Sequence, residues 1–376
     1  MRILINSSYI VKPNGEVLKN GWIVVEGGKV AGYYQKPPEG RFQKVERLTG
    51  YLYPPFVNAH THLELSHLPF NPDAFSNFFD WLLWIIGRRE LFTEDEILKA
   101  LSEAENELLS SGVAYVGDIS SFGLSARFPF KRIRVKAFRE FIGKDYNPEE
   151  FIPPVSAHSV YSVSFSALKA IAEDSMRRGY KFQIHVGETY QEQLFVRCKP
   201  NLFEKVIYPF VGRERYDRVC SENLIGYLRK AGALNQNLIA VHCVNLSGKE
   251  LESLLKAEAS IVLCPRSNVH LKVGFPEVES LLDYEKVALA TDGLSSNVTL
   301  SVVDELRAVY YALEGRVKVR ELLPLITTSA ARALSIENYG EEAVFSFLPS
   351  PSVKDDPFTA LLKGARFQVL DYSESL

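Results

Sequence analysis

Thr93-Glu-Asp-Glu-Ile-Leu-Lys-Ala-Leu-Ser-Glu-Ala-Glu-Asn-Glu-Leu-Leu-Ser-Ser-Gly112-Val-Ala-Tyr-Val-Gly-Asp-Ile119 holds one complete unit of the fold. Thr93 and Glu96 stand at the spacing of a capping box, so a helix starts there. Ile97, Leu98, Leu101, Ala104, Leu108 and Leu109 then form one apolar stripe at helical period. Gly112 is placed to end the helix, and the run from Val113 to Ile119 reads as a buried strand. A helix leading straight into such a strand is the repeating element of a parallel sheet.

Working outward, similar units end in the apolar runs Lys181–Val186, Leu238–Val244, Ser260–Cys264 and Val287–Asp292. Earlier strands are expected near Tyr51–His62, Ile133–Phe141 and Pro154–His158, which brings the total to the eight that a closed (β/α)8 TIM barrel requires. The two ends differ. Residues 1–50 are strand-like and punctuated by Asn14-Gly15 and Gly27-Gly28, turn signals of an antiparallel sheet. Residues 341–376 again lack helical period, finish in Arg366-Phe-Gln-Val-Leu370, and include a Ser/Pro-rich loop at Pro349–Pro357. The expected organisation is a barrel over 51–340, with 1–50 and 341–376 joined as one small β-sandwich domain.

Hydrophobic residues make up 46% of the chain and charged residues 24%, values ordinary for a globular enzyme. The net charge of −3 gives no reason to expect a nucleic-acid or anionic-membrane partner. No apolar run approaches the ~20 residues that span a bilayer, and the start lacks a cleavable signal pattern, so a cytoplasmic location is the expectation. The expected partner is a small-molecule substrate, with a homo-oligomer open. Cysteines stand at 198, 220, 243 and 264 without a Cys-x-x-Cys pair, which argues against a zinc ribbon and a disulfide scaffold. Cys243 and Cys264 sit in apolar runs, where cysteine is a small hydrophobe.

His60 and His62 close the run Tyr53-Pro-Pro-Phe-Val-Asn-Ala-His60. Residues two apart on a strand face the same side, so both imidazoles point into the barrel at its C-terminal rim, where barrel enzymes keep their sites. Alone, the pair reads equally well as two unrelated loop histidines. Three further strands end the same way, in His185, His242 and Asp292. A buried Asp is costly unless paired or bound to a cation, and packing gives no reason for so many metal-competent side chains on one rim. Three imidazoles and one carboxylate suit one divalent ion, Zn(II) first, with Fe(II) or Mn(II) as alternatives. Glu188, just past the strand ending in His185, is placed to act as general acid and base; the alternative is a solvated loop Glu.

These stretches resemble the amidohydrolase superfamily, in its deaminase and chlorohydrolase branch. The resemblance rests on Val57-Asn-Ala-His-Thr-His-Leu63, Ile184-His-Val-Gly-Glu-Thr189, Val241-His-Cys-Val-Asn-Leu246, Cys264-Pro-Arg-Ser-Asn268 and Ala290-Thr-Asp-Gly-Leu-Ser-Ser-Asn297. Thr327-Thr-Ser-Ala-Ala-Arg-Ala-Leu334 is similar to the family's last barrel helix. The resemblance implies that His60, His62, His185 and Asp292 bind the metal, that His242 polarises water or substrate, and that Glu188 shuttles the proton. Asp292 and His242 would accept or orient the proton of the attacking water. Two departures fall in scaffold positions: Pro54-Pro55-Phe56 replaces Pro-Gly-Phe, and Ala343-Val344-Phe345 replaces Ala-Asp-Leu. The fourth strand, Pro154–Ser159, carries His158 and no lysine, which resembles the mononuclear branch.

The resemblance implies hydrolytic deamination of an aminopurine nucleoside, with ammonia released. Ser156-Ala-His158-Ser-Val-Tyr-Ser-Val-Ser resembles deaminases of S-adenosylhomocysteine and methylthioadenosine, where the matching histidine contacts the nucleoside. Asp80-Trp81 resembles a Glu-Trp segment whose acid binds ribose hydroxyls; an apolar lid helix over Phe78–Ile86 is the alternative. His60–Ser66 with Cys264–Asn268 looks most like aminodeoxyfutalosine deaminases of menaquinone synthesis. Glu64 is a further substrate-binding candidate. Arg139 would meet a substrate carboxylate or else serve as salt-bridged scaffold. The competing readings are a guanine or cytosine deaminase, a triazine-type chlorohydrolase, and an inactive barrel that only binds. The other zinc deaminase design, with His-x-Glu and Pro-Cys-x-x-Cys, has no match in the chain.

Overall fold

The computed structural model describes residues 1–68, 70–212 and 216–373; residues 374–376 of the expected terminal β segment lie outside that range. Fourteen strands are formed among the described residues. The first four are β1 (Arg2–Val11), β2 (Val17–Glu26), β3 (Lys29–Tyr34) and β4 (Lys44–Tyr53). Then come β5 (Phe56–Thr61), β6 (Val113–Ser120), β7 (Arg134–Phe141), β8 (Val155–Ser159), β9 (Phe182–Val186), β10 (Leu238–His242), β11 (Ser260–Leu263) and β12 (Val287–Leu289). The last two are β13 (Val344–Pro349) and β14 (Gln368–Asp371).

The two chain ends share one six-stranded mixed sheet, ordered β14-β13-β4-β1-β2-β3. Gly27 and Gly28 join β2 to β3 at φ of 56° and 78°, the two left-handed residues that a tight hairpin needs. Ile3, Ile5, Ile23, Val25, Leu52 and Phe345 fill this sheet's own core. The run expected as one strand over Tyr51–His62 is split. Tyr51–Tyr53 belong to β4 and pair with β13, and β5 starts only after Pro54-Pro55. Two successive prolines offer no N–H to a ladder, so the chain changes sheet there. Ser346 ties the two sheets together: its hydroxyl donates to the Gly112 carbonyl and accepts from the Phe56 N–H, at 2.6 and 2.8 Å. The terminal segment also contains a helix that was not expected, Pro357–Lys363, capped by Asp356 and too short to show a period.

The other eight strands run parallel in chain order from β5 to β12. The barrel closes at its C-terminal rim, where the Asp292 N–H donates to the His60 carbonyl at 3.1 Å. Below it, the Asn58 side chain donates to Thr291 Oγ1 at 2.7 Å and accepts from the Thr291 N–H at 3.1 Å. The helix Glu94–Ser110 has the expected Thr93–Glu96 capping box and delivers β6, buried along its whole length. The alternation is incomplete, however. The connections 121–133 and 142–154 contain no helix, so the outer face of β7 has no helical cover, and Arg134–Ala137 are only half-buried. A groove of about 810 Å³, lined by Phe128, Phe130, Lys136 and Arg139 among others, occupies that flank.

The cysteine reading needs one correction. Cys198 and Cys220 form a disulfide, because the excursion between them folds back and brings their Cα atoms to 5.5 Å. Cys243 and Cys264 are free and buried, as small hydrophobes. Among the described residues no helix is long and apolar enough to cross a membrane.

Candidate metal centre and active site

Three strand ends deliver the rim cluster. His60 lies in β5, His185 in β9, His62 just beyond β5, and Asp292 three residues after β12. His60, His62 and His185 each offer a ring nitrogen, all within 4.8 Å of one another. Asp292 Oδ1 lies 3.5 Å from both His60 Nε2 and His62 Nε2. Asp292 (φ 60°) and His242 (φ 71°) occupy the left-handed region without being glycine. Such backbone costs of order 1–3 kcal/mol each and is kept where a site demands it.

Hydrogen bonding on the far side of the His60, His185 and His242 rings decides what faces the cluster. Gln183 Oε1 can only accept, so His60 donates from Nδ1 at 2.7 Å and turns the lone pair of Nε2 inward. The His158 carbonyl likewise takes the Nδ1–H of His185 at 2.7 Å. When the rings are neutral, the two Nε2 lone pairs then face each other at 3.3 Å. Two opposed lone pairs repel unless a cation lies beside both, and this contact fits a metal ion. Burial, then the charges of His158, His60, His242 and His62, drives the His185 pKa well below its ordinary value; burial takes His62 down to about 4. Neutral imidazoles are the form a metal needs. Burial raises the Asp292 pKa, but His60, His62 and His242 outweigh it and hold the carboxylate ionised. Its Oδ2 accepts from Ser267 and Ser296 hydroxyls at 2.8 and 2.6 Å, leaving Oδ1 for the cluster.

His242 is set the other way round. Asn268 Nδ2 donates to its Nδ1 at 3.0 Å, and burial takes its pKa down to about 3. The neutral ring therefore carries its proton on Nε2, which lies 3.7 Å from Glu188 Oε1. His242 is thus a donor toward the cavity, whereas His60 and His185 present lone pairs. Glu188 follows Gly187, whose φ of 63° turns the chain and where a Cβ would come within 2.9 Å of the Leu246 side chain. Burial first, then Asp292 and Glu192, pushes the Glu188 pKa well above the carboxylate range. Glu192 braces the turn by accepting from the Gly187 and Thr189 N–H groups at 2.9 and 3.1 Å.

A cavity of about 70 Å³ sits over the cluster, with Glu188, His242, Asp292 and His158 in its wall. Its roof is the helix Phe78–Ile86, which presents Trp81, Leu82, Ile85 and Ile86. Trp81 is pinned by its indole N–H donating to the Ser295 carbonyl at 2.7 Å. The other three substrate-binding candidates are not brought to the cavity. Asp80 is exposed and accepts from Ser76 N and Asn77 Nδ2 at 3.2 and 3.0 Å, because it sits in the helix's first turn on the outer face. Glu64 is buried and spent on scaffold: it accepts from Ser120 Oγ and Ser125 N at 2.7 Å each, and from Phe122 N. Arg139 points outward, donates to the Ser120 and Ser121 carbonyls at 3.1 Å, and lines the 810 Å³ groove; among the described residues no ion pair holds it.

Sequence reasoning missed Glu140 and Arg89. Glu140, one residue beyond Arg139, faces inward, lines the cavity and pairs with Arg89 at 3.1 Å. Burial raises its pKa, but Arg89, His158 and His62 outweigh it and hold it at about 2. Alternation along β7 was the available signal, since neighbours on a strand take opposite faces. Gln183, Ser267 and Asn268 were also unassigned, though the last two lay inside a quoted motif.

This is the rim architecture of a metal-dependent barrel hydrolase, and residues 127–344, more than half of the chain, match the amidohydrolase family. The chain belongs to that family. A 5′-deoxyadenosine deaminase of Methanothrix thermoacetophila is 25% identical over 89% of this chain and 82% of its own length. An aminodeoxyfutalosine deaminase of Nitratiruptor is 27% identical over 78% of this chain and 76% of its own. The same fold occurs in the Helicobacter pylori aminofutalosine deaminase solved with methylthio-coformycin, at TM-score 0.80 and 23% identity, covering 97% of both chains.

Proposed function

We propose that this chain is a metal-dependent aminohydrolase that deaminates an adenosine derivative, with residues 54–340 as the catalytic barrel and 1–53 plus 341–373 as the small β domain. The observation that carries the reading is the opposed tautomers: His60 and His185 offer lone pairs at one point, while His242 offers an N–H with the Glu188 carboxyl 3.7 Å away. His60, His62, His185 and Asp292 would hold one divalent ion, with zinc best suited to that donor set. Such an ion, when bound, lowers the pKa of water from 15.7 towards ~7 and so supplies a nucleophile at neutral pH.

The chain's own groups do the remainder. Glu188 delivers its proton to the ring nitrogen beside the amino-bearing carbon, so negative charge does not build on the purine. His242 holds the attacking oxygen through its Nε2–H, and Asp292 accepts the proton that oxygen releases. The amino group takes up a proton and leaves as ammonia. His158 and Trp81 line the cavity where the purine would stand. The curated relatives, named as 5′-deoxyadenosine, 5-methylthioadenosine/S-adenosylhomocysteine and aminodeoxyfutalosine deaminases, support this substrate class.

The test is ammonia release from a panel of adenosines with varied 5′ groups, run beside a chlorotriazine. Turnover of at least one nucleoside that stops on metal removal and returns with zinc is expected. Halide release alone, or no turnover by metal-loaded protein, would refute it.

A further inference from the structure

The outer face of β7 stands apart from the rest of the barrel. The other barrel strands are buried at all or nearly all positions, as parallel strands ordinarily are on both faces. β7 lies between β6 and β8, so its two helix-less connections flank it, 121–133 on the β6 side and 142–154 on the β8 side. Residues of both connections and of β7 line the groove of about 810 Å³, and the lining is mostly apolar, with Phe122, Phe128, Phe130, Ile133 and Val135. Ile152 stands in the same lining and is 85% exposed, the most exposed large apolar side chain among the described residues. An apolar face rimmed by polar residues marks an interaction surface.

The two rims carry opposite charge. Connection 121–133 has Arg127, Lys131 and Arg132 and no acid, whereas 142–154 has Asp145, Glu149 and Glu150 against Lys144 alone. All of these side chains are exposed. The rims do not neutralise each other across the groove: Arg127 reaches Glu94 at 3.4 Å, and Glu150 accepts from Asn147. Cations on the groove floor are already engaged, Lys136 with the Leu334 carbonyl and Arg139 with those of Ser120 and Ser121. A second copy related by a two-fold axis along the groove would lay each rim on the opposite rim of the first. Basic then meets acidic twice, and the Ile152 of each copy meets the apolar lining of the other. A foreign partner would have to reproduce that alternation, which this chain already carries.

We propose that the outer face of β7, with its two flanking connections, is the interface of a two-fold homodimer. The occupant of the groove is a second copy of this chain. The inference is independent of the deaminase reading.

The experiment measures the mass of the purified full chain in solution by sedimentation and light scattering, over roughly 1 to 100 μM. The wild type is expected at twice the chain mass. Ile152→Asp should shift it to the monomer, because the substitution places an unpaired charge in an apolar contact. Two charge-reversed chains sharpen the test. Arg127→Glu with Lys131→Glu leaves both rims acidic, and Glu149→Lys with Glu150→Lys leaves both rims basic. Each alone should raise the dimer dissociation constant roughly tenfold or more, since like charges then meet on both sides. Mixed in equal amounts, the two should form a heterodimer, because both rim contacts become attractive again. A monomeric wild type, a dimer indifferent to Ile152→Asp, or reversed chains that fail to rescue one another would overturn the proposal. Should a reversed chain not fold, the masses of wild type and Ile152→Asp still decide.

Discussion

The barrel has two unlike flanks. On the side of β9 to β12 the strands are buried throughout, and their ends carry His185, His242 and Asp292 within one cluster. On the side of β6 to β8 the connections carry no helix, the outer face of β7 is open, and the residues after β6 are consumed in holding Glu64. Arg139 and Glu140, adjacent in β7, make the contrast sharp: one lines the outer groove and the other the catalytic cavity. The comparison teaches that rim position does not make a side chain functional; its facing and its unspent hydrogen-bonding capacity do.

The largest expected effect falls on the closed flank. Glu188→Gln should lose roughly 10²–10⁴ in kcat, the usual contribution of a positioned proton donor, while elemental analysis finds metal unchanged. Near-normal turnover would move the proton role elsewhere. Next, the Cys198–Cys220 link closes the excursion that brings Ile207 and Tyr208 to a cavity of about 560 Å³ adjoining the catalytic one. Cys198→Ser should cost about 3 kcal/mol by loop entropy, read as a fall in Tm of wild type against variant without reductant. An unchanged Tm would mean the excursion is held by packing alone.

Gln183→Leu probes the tautomer argument. Without its acceptor the His60 ring is free to turn its Nε2–H inward, and metal affinity should fall roughly 10- to 100-fold in a competition titration. Unchanged affinity would show that the far-side bond is idle. The smallest effect belongs to the open flank: Arg139→Gln should cost about 1 kcal/mol of stability and leave kcat/KM within about twofold. A large loss of activity there would erase the distinction between the flanks.

The barrel and the rim cluster were legible because they are periodic: apolar runs ending in His or Asp mark strand ends whichever helices lie between. Asn14-Gly15 and Gly27-Gly28 announced the small sheet for the same local reason. What stayed hidden is tertiary. Nothing in Glu64 shows that loop amides will saturate it, and the 22-residue separation of Cys198 and Cys220 carries no sign of a return path. The absent helices at 121–133 and 142–154 were passed over because strand signals alone complete the count of eight. Arg139 was singled out for its charge, although strand alternation allows only one of Arg139 and Glu140 to face the site.

The central claim is that one cation is held by four residues scattered through the chain. Anomalous diffraction at the zinc edge from crystals of the purified protein, with metal content per chain measured in parallel, tests it directly. The account predicts one ion per chain, bonded to His60, His62, His185 and Asp292. A strong anomalous peak elsewhere, or zinc-loaded protein with no peak among those four side chains, would contradict it.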